Sequence, residues 1–175
     1  MNYSILLDVG STVTSAVLPT LDKIDSFQDA IAITFFIGYM AMLASSVFFF
    51  VERGSVDGKW KLSLLVSALI TGIAAVHYYY MREFYMEYGV SPTALRYVDW
   101  TLTVPLMCVE FYLLTKPFGA KGATLFKLIL ASVVMLVTGL IGETVGLGEN
   151  MMWGILSTVG YLYIVYEVFA GDIAK

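Results

Sequence analysis

The chain of 175 residues holds one cysteine, Cys108, and one histidine, His77. A single thiol excludes an internal disulfide and a cysteine-based metal cluster. Charge is scarce as well: 14% of residues are Asp, Glu, Lys or Arg, where soluble domains carry about 25%. The formal net charge of -4 argues against nucleic acid, which would want a basic patch. No basic run precedes the apolar start of the chain, so a cleaved signal peptide is not expected. Internal repeats, heptad runs and low-complexity segments are also missing.

Apolar surface is what the chain has in excess. Hydrophobic residues make up 59%, and mean hydropathy is +0.80. A soluble domain has no place for that surplus; a lipid bilayer does. Helices of about 20 apolar residues cross a ~30 Å hydrocarbon core, and five such spans are predicted, over residues 30–51, 62–81, 94–114, 124–142 and 151–170. Residues 1–29, which include Pro19, Asp22, Lys23 and Asp25, read as an extracytoplasmic N-terminal segment. The segments between spans are short and carry the charge and turn residues, as in Glu52-Arg53-Gly54 and Lys116-Pro117-Phe118-Gly119. Consecutive helices should therefore run antiparallel. The fold class is all-α, a polytopic membrane helix bundle.

The Lys and Arg distribution sets an expected orientation. Lys23, Arg82 and Arg96 fall on one side of the membrane, and Arg53, Lys59, Lys61, Lys116, Lys121, Lys127 and Lys175 on the other. The richer side is cytoplasmic by that rule, which puts the N-terminus outside. The third span then runs inward from its start.

That third span carries Arg96, Asp99 and Glu110. A charged group at mid-bilayer costs roughly 2.5–3.5 kcal/mol on insertion scales, so such residues point to function by default. Asp99 and Glu110 lie about 20° apart around the helix and ~16 Å apart along it, with Thr103 one turn from Asp99 on the same side. Arg96 is one turn outward of Asp99, within reach of a charge pair. One carboxylate sits toward the outside and one toward the cytoplasm, an arrangement that gives two acids separable roles in proton transfer. Blander readings fit the same residues. Arg96–Asp99 fits a structural ion pair near the interface, and Glu110 fits a side chain snorkelling toward headgroups. His77 fits a satisfied buried histidine, and Met107 and Met135 fit ordinary packing. Glu52, Glu143 and Glu167, near span ends, fit interfacial or helix-bonding groups.

The segment Arg96-Tyr97-Val98-Asp99-Trp100-Thr101-Leu102-Thr103-Val104-Pro105-Leu106, with Glu110 after it, resembles the third-helix signature of the microbial rhodopsins, the proteorhodopsin group in particular. Phe48-Phe49-Phe50-Val51-Glu52-Arg53, His77-Tyr78-Tyr79-Tyr80-Met81-Arg82, Met135-Leu136-Val137-Thr138-Gly139 and Tyr163-Ile164-Val165-Tyr166-Glu167 agree with it. The resemblance implies the first five helices of a seven-helix bundle around all-trans retinal, held as a protonated Schiff base on a lysine. It implies Asp99 as counterion and primary proton acceptor, Glu110 as proton donor, Arg96 as the charge below the counterion, and His77 as a hydrogen-bond partner of Asp99. Trp100, Thr103, Met107, Met135, Gly139, Ser157 and Thr158 match pocket-lining positions, with Met107 at a colour-tuning position that suggests green absorption. Gly154, after Trp153, matches a glycine that opens a window for a carotenoid antenna in the xanthorhodopsin-like branch. Close packing at a helix contact is the simpler reading of that glycine.

The expected function is a light-driven outward proton pump, not an enzyme, in a bacterial cell membrane, and the resemblance adds a homo-oligomer. None of the seven lysines lies mid-span and the sequence ends at Lys175, so the Schiff-base lysine is expected on a complementary fragment or chain supplying the last two helices. Two alternatives stand beside the pump. One is a sensory photoreceptor signalling to a membrane transducer, against which the carboxylate at 110 speaks. The other is a retinal-free membrane scaffold or transporter subunit.

Overall fold

The computed structural model describes residues 27–145 and 150–171. The greater part of the expected N-terminal segment, residues 1–26 with Lys23, lies outside them, as does Lys175. Five long helices follow one another: α1 (Phe27–Glu52), α2 (Lys61–Tyr88), α3 (Thr93–Thr115), α4 (Gly122–Thr144) and α5 (Asn150–Phe169). Each is long and apolar enough to cross a membrane.

Local chemistry sets the ends. Between α1 and α2 the chain turns through Gly54 and Asp57, with the Trp60 amide donating to the Asp57 carbonyl at 2.9 Å. α2 stops at Gly89, whose φ of 66° is left-handed, a conformation glycine adopts without the steric cost of a Cβ. Its amide closes the helix on the Tyr85 carbonyl at 2.8 Å. A single 3-10 turn, Lys116–Phe118, follows α3 and ends at Gly119, φ 106°. The 28 residues of α2 span about 42 Å, more than a hydrocarbon core. Its last two turns, with Arg82, Glu83 and Glu87, therefore continue beyond the apolar stretch that ends at Met81.

Among the described residues, packing runs only between neighbours in sequence: α1 with α2, α2 with α3, α3 with α4, and α4 with α5. The helices form an open row, with α3 in the middle. Met107 shows what that leaves uncovered, since it sits on the central helix and is 44% exposed. Large apolar side chains such as Phe36, Val47, Phe126 and Val159 face outward, where lipid, not protein, is their solvent.

Small residues make the helix contacts close, as expected where apolar burial cannot drive association. At α1–α2, a Cβ on Gly72 would stand 2.9 Å from the Ser46 hydroxyl oxygen, and that hydroxyl donates to the Ala68 carbonyl at 2.8 Å. At α4–α5, a Cβ on Gly160 would meet Met135 at 3.1 Å and the Ala131 carbonyl oxygen at 3.3 Å. The Ser157 hydroxyl bridges the same pair of helices by donating to the Met135 carbonyl at 2.8 Å.

Because backbone stands in its way, Gly160→Ala should push α4 and α5 apart and cost about 1–3 kcal/mol. Gly122→Ala, where nothing lies within 4 Å, should be neutral or slightly stabilising. Unfolding in detergent micelles checks both; equal stability of the two variants would contradict the contact.

Candidate functional site

α3 is held between its neighbours by polar contacts at several depths. Toward its start, Asp99 is buried, with 3% of its surface exposed. His77 of α2 brings Nδ1 to 3.1 Å from Asp99 Oδ1. The same nitrogen lies 3.0 Å from the Ile73 carbonyl oxygen one turn back on α2. One Nδ1–H cannot point at both. Its direction favours the carbonyl, and Asp99 Oδ1 is left buried without an aligned hydrogen bond.

Three turns further along α3, the Ser67 hydroxyl of α2 donates to the Glu110 carboxylate. Ser67 also reaches the Ser63 carbonyl at 3.1 Å. Its single hydrogen serves one acceptor at a time, which gives the pair two states. An ionised Glu110 receives the hydroxyl. A protonated Glu110 can instead donate to Ser67 while Ser67 turns to the carbonyl. Glu110 is thus tied to α2 by protein, so snorkelling to headgroups does not describe it.

The N-terminal end of α3 departs from the expected pairing. Arg96 does not join Asp99: its Nη2 donates to Glu143 Oε2 of α4 at 2.8 Å and to the Thr93 hydroxyl at 3.2 Å. The other Glu143 oxygen accepts from the Tyr97 hydroxyl at 3.0 Å. The reason is reach. Spacing along one helix counts only neighbours on that helix, whereas the long arginine stem crosses to a full carboxylate on the next. Trp100 lies under the guanidinium, 5.6 Å from ring centroid to Cζ, and edge-on to Tyr97 at 5.1 Å.

At 100° per residue, Trp100, Thr103 and Met107 fall between the side of α3 that meets α2 and the side that meets α4. Thr103 is buried, and its hydroxyl bonds the Asp99 carbonyl at 3.0 Å, so it serves the backbone and not the carboxylate. Pro105 lies inside α3; lacking an N–H, it leaves the Thr101 carbonyl without its helical donor at mid-span. On α4 and α5, Met135, Gly139 and Ser157 are half-buried and Thr158 is exposed. A cavity of about 510 Å³ is lined by Tyr97, Gly139, Glu143, Asn150, Gly154 and Ser157, among others. Gly139 is the close-packed glycine there: its Cβ would stand 2.9 Å from the Tyr97 hydroxyl and 3.2 Å from that of Ser157. A Cβ on Gly154 would meet nothing within 4 Å, although its backbone nitrogen lies 3.5 Å from where a Cβ on Gly142 would stand.

Residues 29–175 match the profile of the family described as bacteriorhodopsin-like protein. The chain belongs to this family, the microbial rhodopsins. It is 44% identical to the blue-light absorbing proteorhodopsin of Gamma-proteobacterium Hot 75m4, over 96% of this chain and 67% of that protein. It is also 44% identical to the green-light absorbing proteorhodopsin of Gamma-proteobacterium EBAC31A08, over 96% and 68% respectively. Among solved structures, the blue light-absorbing proteorhodopsin from Med12 superposes with a TM-score of 0.73 at 48% identity, covering 81% of this chain and 67% of that one. Xanthorhodopsin, described as a light-driven ion pump with dual chromophore, gives a TM-score of 0.74 at 32% identity, over 82% and 64%. The chain spans about two thirds of the length of these rhodopsins, and like them it is a multi-pass, all-helical membrane protein.

Three partners of these side chains escaped the sequence reading: Ser67, Tyr97 and Glu143. A signal for Ser67 was present. In an antiparallel pair, stepping back along α2 from His77 keeps pace with stepping forward along α3 from Asp99, which brings Glu110 to within one residue of Ser67.

Proposed function

We propose that this chain contributes the first five helices of a light-driven outward proton pump, with Asp99 as proton acceptor and Glu110 as proton donor. One observation carries the reading: two acids on one membrane helix, Asp99 against His77 and Glu110 bonded to Ser67 at different depths of α2, with Trp100, Thr103 and Met107 on the face beside them. The similarity to proteorhodopsins and to xanthorhodopsin supports it.

The site suits retinal. Asp99 Oδ1 is buried and short of a donor; a carboxylate oxygen in that state wants a cation, and a protonated, lysine-linked retinal is one. Trp100, Thr103 and Met107 would hold it from α3, with Met135, Gly139, Ser157 and Thr158 on the far wall. Bound there, retinal would supply light absorption and the light-driven change of shape. The lysine comes from outside these residues: Lys61 opens α2 and Lys127 lies in the second turn of α4. Helices six and seven must therefore be supplied, by more of the same protein or by a second polypeptide. The open space at Gly154 also leaves room for a carotenoid antenna against α5.

The protein's own groups then have defined tasks. Asp99, ionised in the dark beside His77, takes up a proton at its carboxylate on the outer side. Glu110 keeps a proton by donating to Ser67, and gives it up toward the middle of the membrane. The Ser67 hydroxyl turns to stabilise the carboxylate that results. A proton from the cytoplasm restores Glu110. The Lys and Arg distribution supports an outside N-terminus, in a bacterial cell membrane as for the proteorhodopsins this chain resembles, and net movement is then outward.

Co-expression with a fragment holding the last two helices, plus all-trans retinal, should give a visible absorption band and light-driven acidification of the medium that an uncoupler abolishes. A colourless product, or a coloured one without acidification, would overturn the pump.

Within that pigment, Asp99→Asn should shift the band to longer wavelength and stop transport, because the cation loses its counter-charge. Glu110→Gln should keep the colour and slow dark recovery by roughly 10²-fold, the scale of a lost proton-transfer group. A sensory photoreceptor would show little change in signalling.

Ser67→Ala should slow recovery about fivefold, the equivalent of one hydrogen bond of ~1 kcal/mol, with the band unmoved. Flash photolysis reads these rates. A band shift in Ser67→Ala would place that residue at the wrong end of the relay.

A further inference from the structure

We propose that Glu143 is a positioning residue: by anchoring Arg96 at the outer end of α3, it keeps the guanidinium off Asp99 and leaves His77 as that carboxylate's neighbour in the dark. The proposal rests on the pump reading above and adds a member on α4 to its exit side.

The geometry makes the case. Arg96 and Asp99 are three residues apart on one helix, close enough to pair, yet the guanidinium is turned to α4. Both oxygens of Glu143 are used, one by Arg96 at 2.8 Å and one by the Tyr97 hydroxyl at 3.0 Å. Two fixed points set the plane of a carboxylate, so Glu143 is a rigid anchor. Gly139 keeps the Tyr97 hydroxyl in place, since any Cβ there would stand 2.9 Å from it. Trp100 supports the guanidinium face at 5.6 Å. Meanwhile Arg96 Nε is buried without a partner, a loss that the Glu143 and Thr93 bonds must offset.

Consequences for Asp99 follow from electrostatics alone. A guanidinium in contact would hold the aspartate in its charged form and oppose proton uptake. With Arg96 anchored, Asp99 is free to accept. The charged and titratable groups around it are few. α2 presents His77 and, further out, Arg82, whose Nη1 is taken by Glu83 at 3.0 Å. α3 presents Arg96 and Tyr97, and α4 presents Glu143. α5 adds neutral Asn150 to the cavity wall shared with Glu143.

Titrating the colour of the retinal pigment tests this. The transition to follow is the one that Asp99→Asn abolishes. Glu143→Gln releases Arg96, and the transition should move to lower pH by about one unit or more. In an Arg96→Gln background the same Glu143→Gln change should move it no further. Tyr97→Phe, which deletes only the hydroxyl on the anchor, should move it the same way by less. It also decides the matter if the Glu143→Gln protein does not fold. A coloured protein whose transition stays put in both variants overturns the proposal and leaves the pump reading intact. A Glu143→Gln shift that persists undiminished without Arg96 overturns it too, because Glu143 would then act by its own field. Failure of the unmodified protein to take up retinal sinks the pump reading, and the positioning role with it.

Discussion

A charge inside a bilayer must find its partner within the protein, and this constraint organises the whole row of helices. α3 carries three residues of formally charged type, Arg96, Asp99 and Glu110, and none of them is satisfied by α3's own side chains alone. Asp99 looks to His77 of α2, Glu110 to Ser67 of α2, and Arg96 to Glu143 of α4. Cross-helix polar contacts in membranes are individually modest, about 0.6 kcal/mol on average. Their weight here lies in register. Each fixes the depth at which two helices meet, and together they allow α3 little freedom to slide or turn.

The same constraint explains how much could be read in the sequence. Five apolar stretches and the 3.6-residue period suffice to place Asp99, Thr103 and Glu110 along one side of one helix. They do not say which residue of another helix lies at the same depth. Arg96 illustrates the gap, since its intrahelical spacing to Asp99 was suitable and a carboxylate on α4 took it instead. Ser67 illustrates the opposite, because antiparallel register from His77 comes within one residue of it. The end of α2 was hidden for a different reason: Arg82–Tyr88 is polar enough to look like a loop, and only Gly89 with its left-handed φ ends the helix. The glycines divided in a way that composition could not show. Gly160 and Gly139 are spacers at helix contacts, whereas Gly154 faces open space.

Seen as a device, the site is a pair of acids with unlike surroundings. Asp99 is buried beside an imidazole, with Arg96 paired to Glu143; Glu110 has a hydroxyl that can either give or take a hydrogen. Two acids in such different surroundings are equipped for separable roles. The exposed flank of Met107 and the open space at Gly154 belong to the same picture, as faces on which the rest of a seven-helix rhodopsin and its chromophore would close.

The central claim, that the two acids change protonation in sequence and in opposite senses, is most directly tested by time-resolved infrared difference spectroscopy on the retinal pigment. Asp99→Asn and Glu110→Gln assign the carboxyl bands. A protonated-carboxyl band from Asp99 should grow first, and one from Glu110 should disappear later and return as the dark state recovers. Simultaneous changes, or an Asp99 already protonated in the dark at neutral pH, would contradict the account.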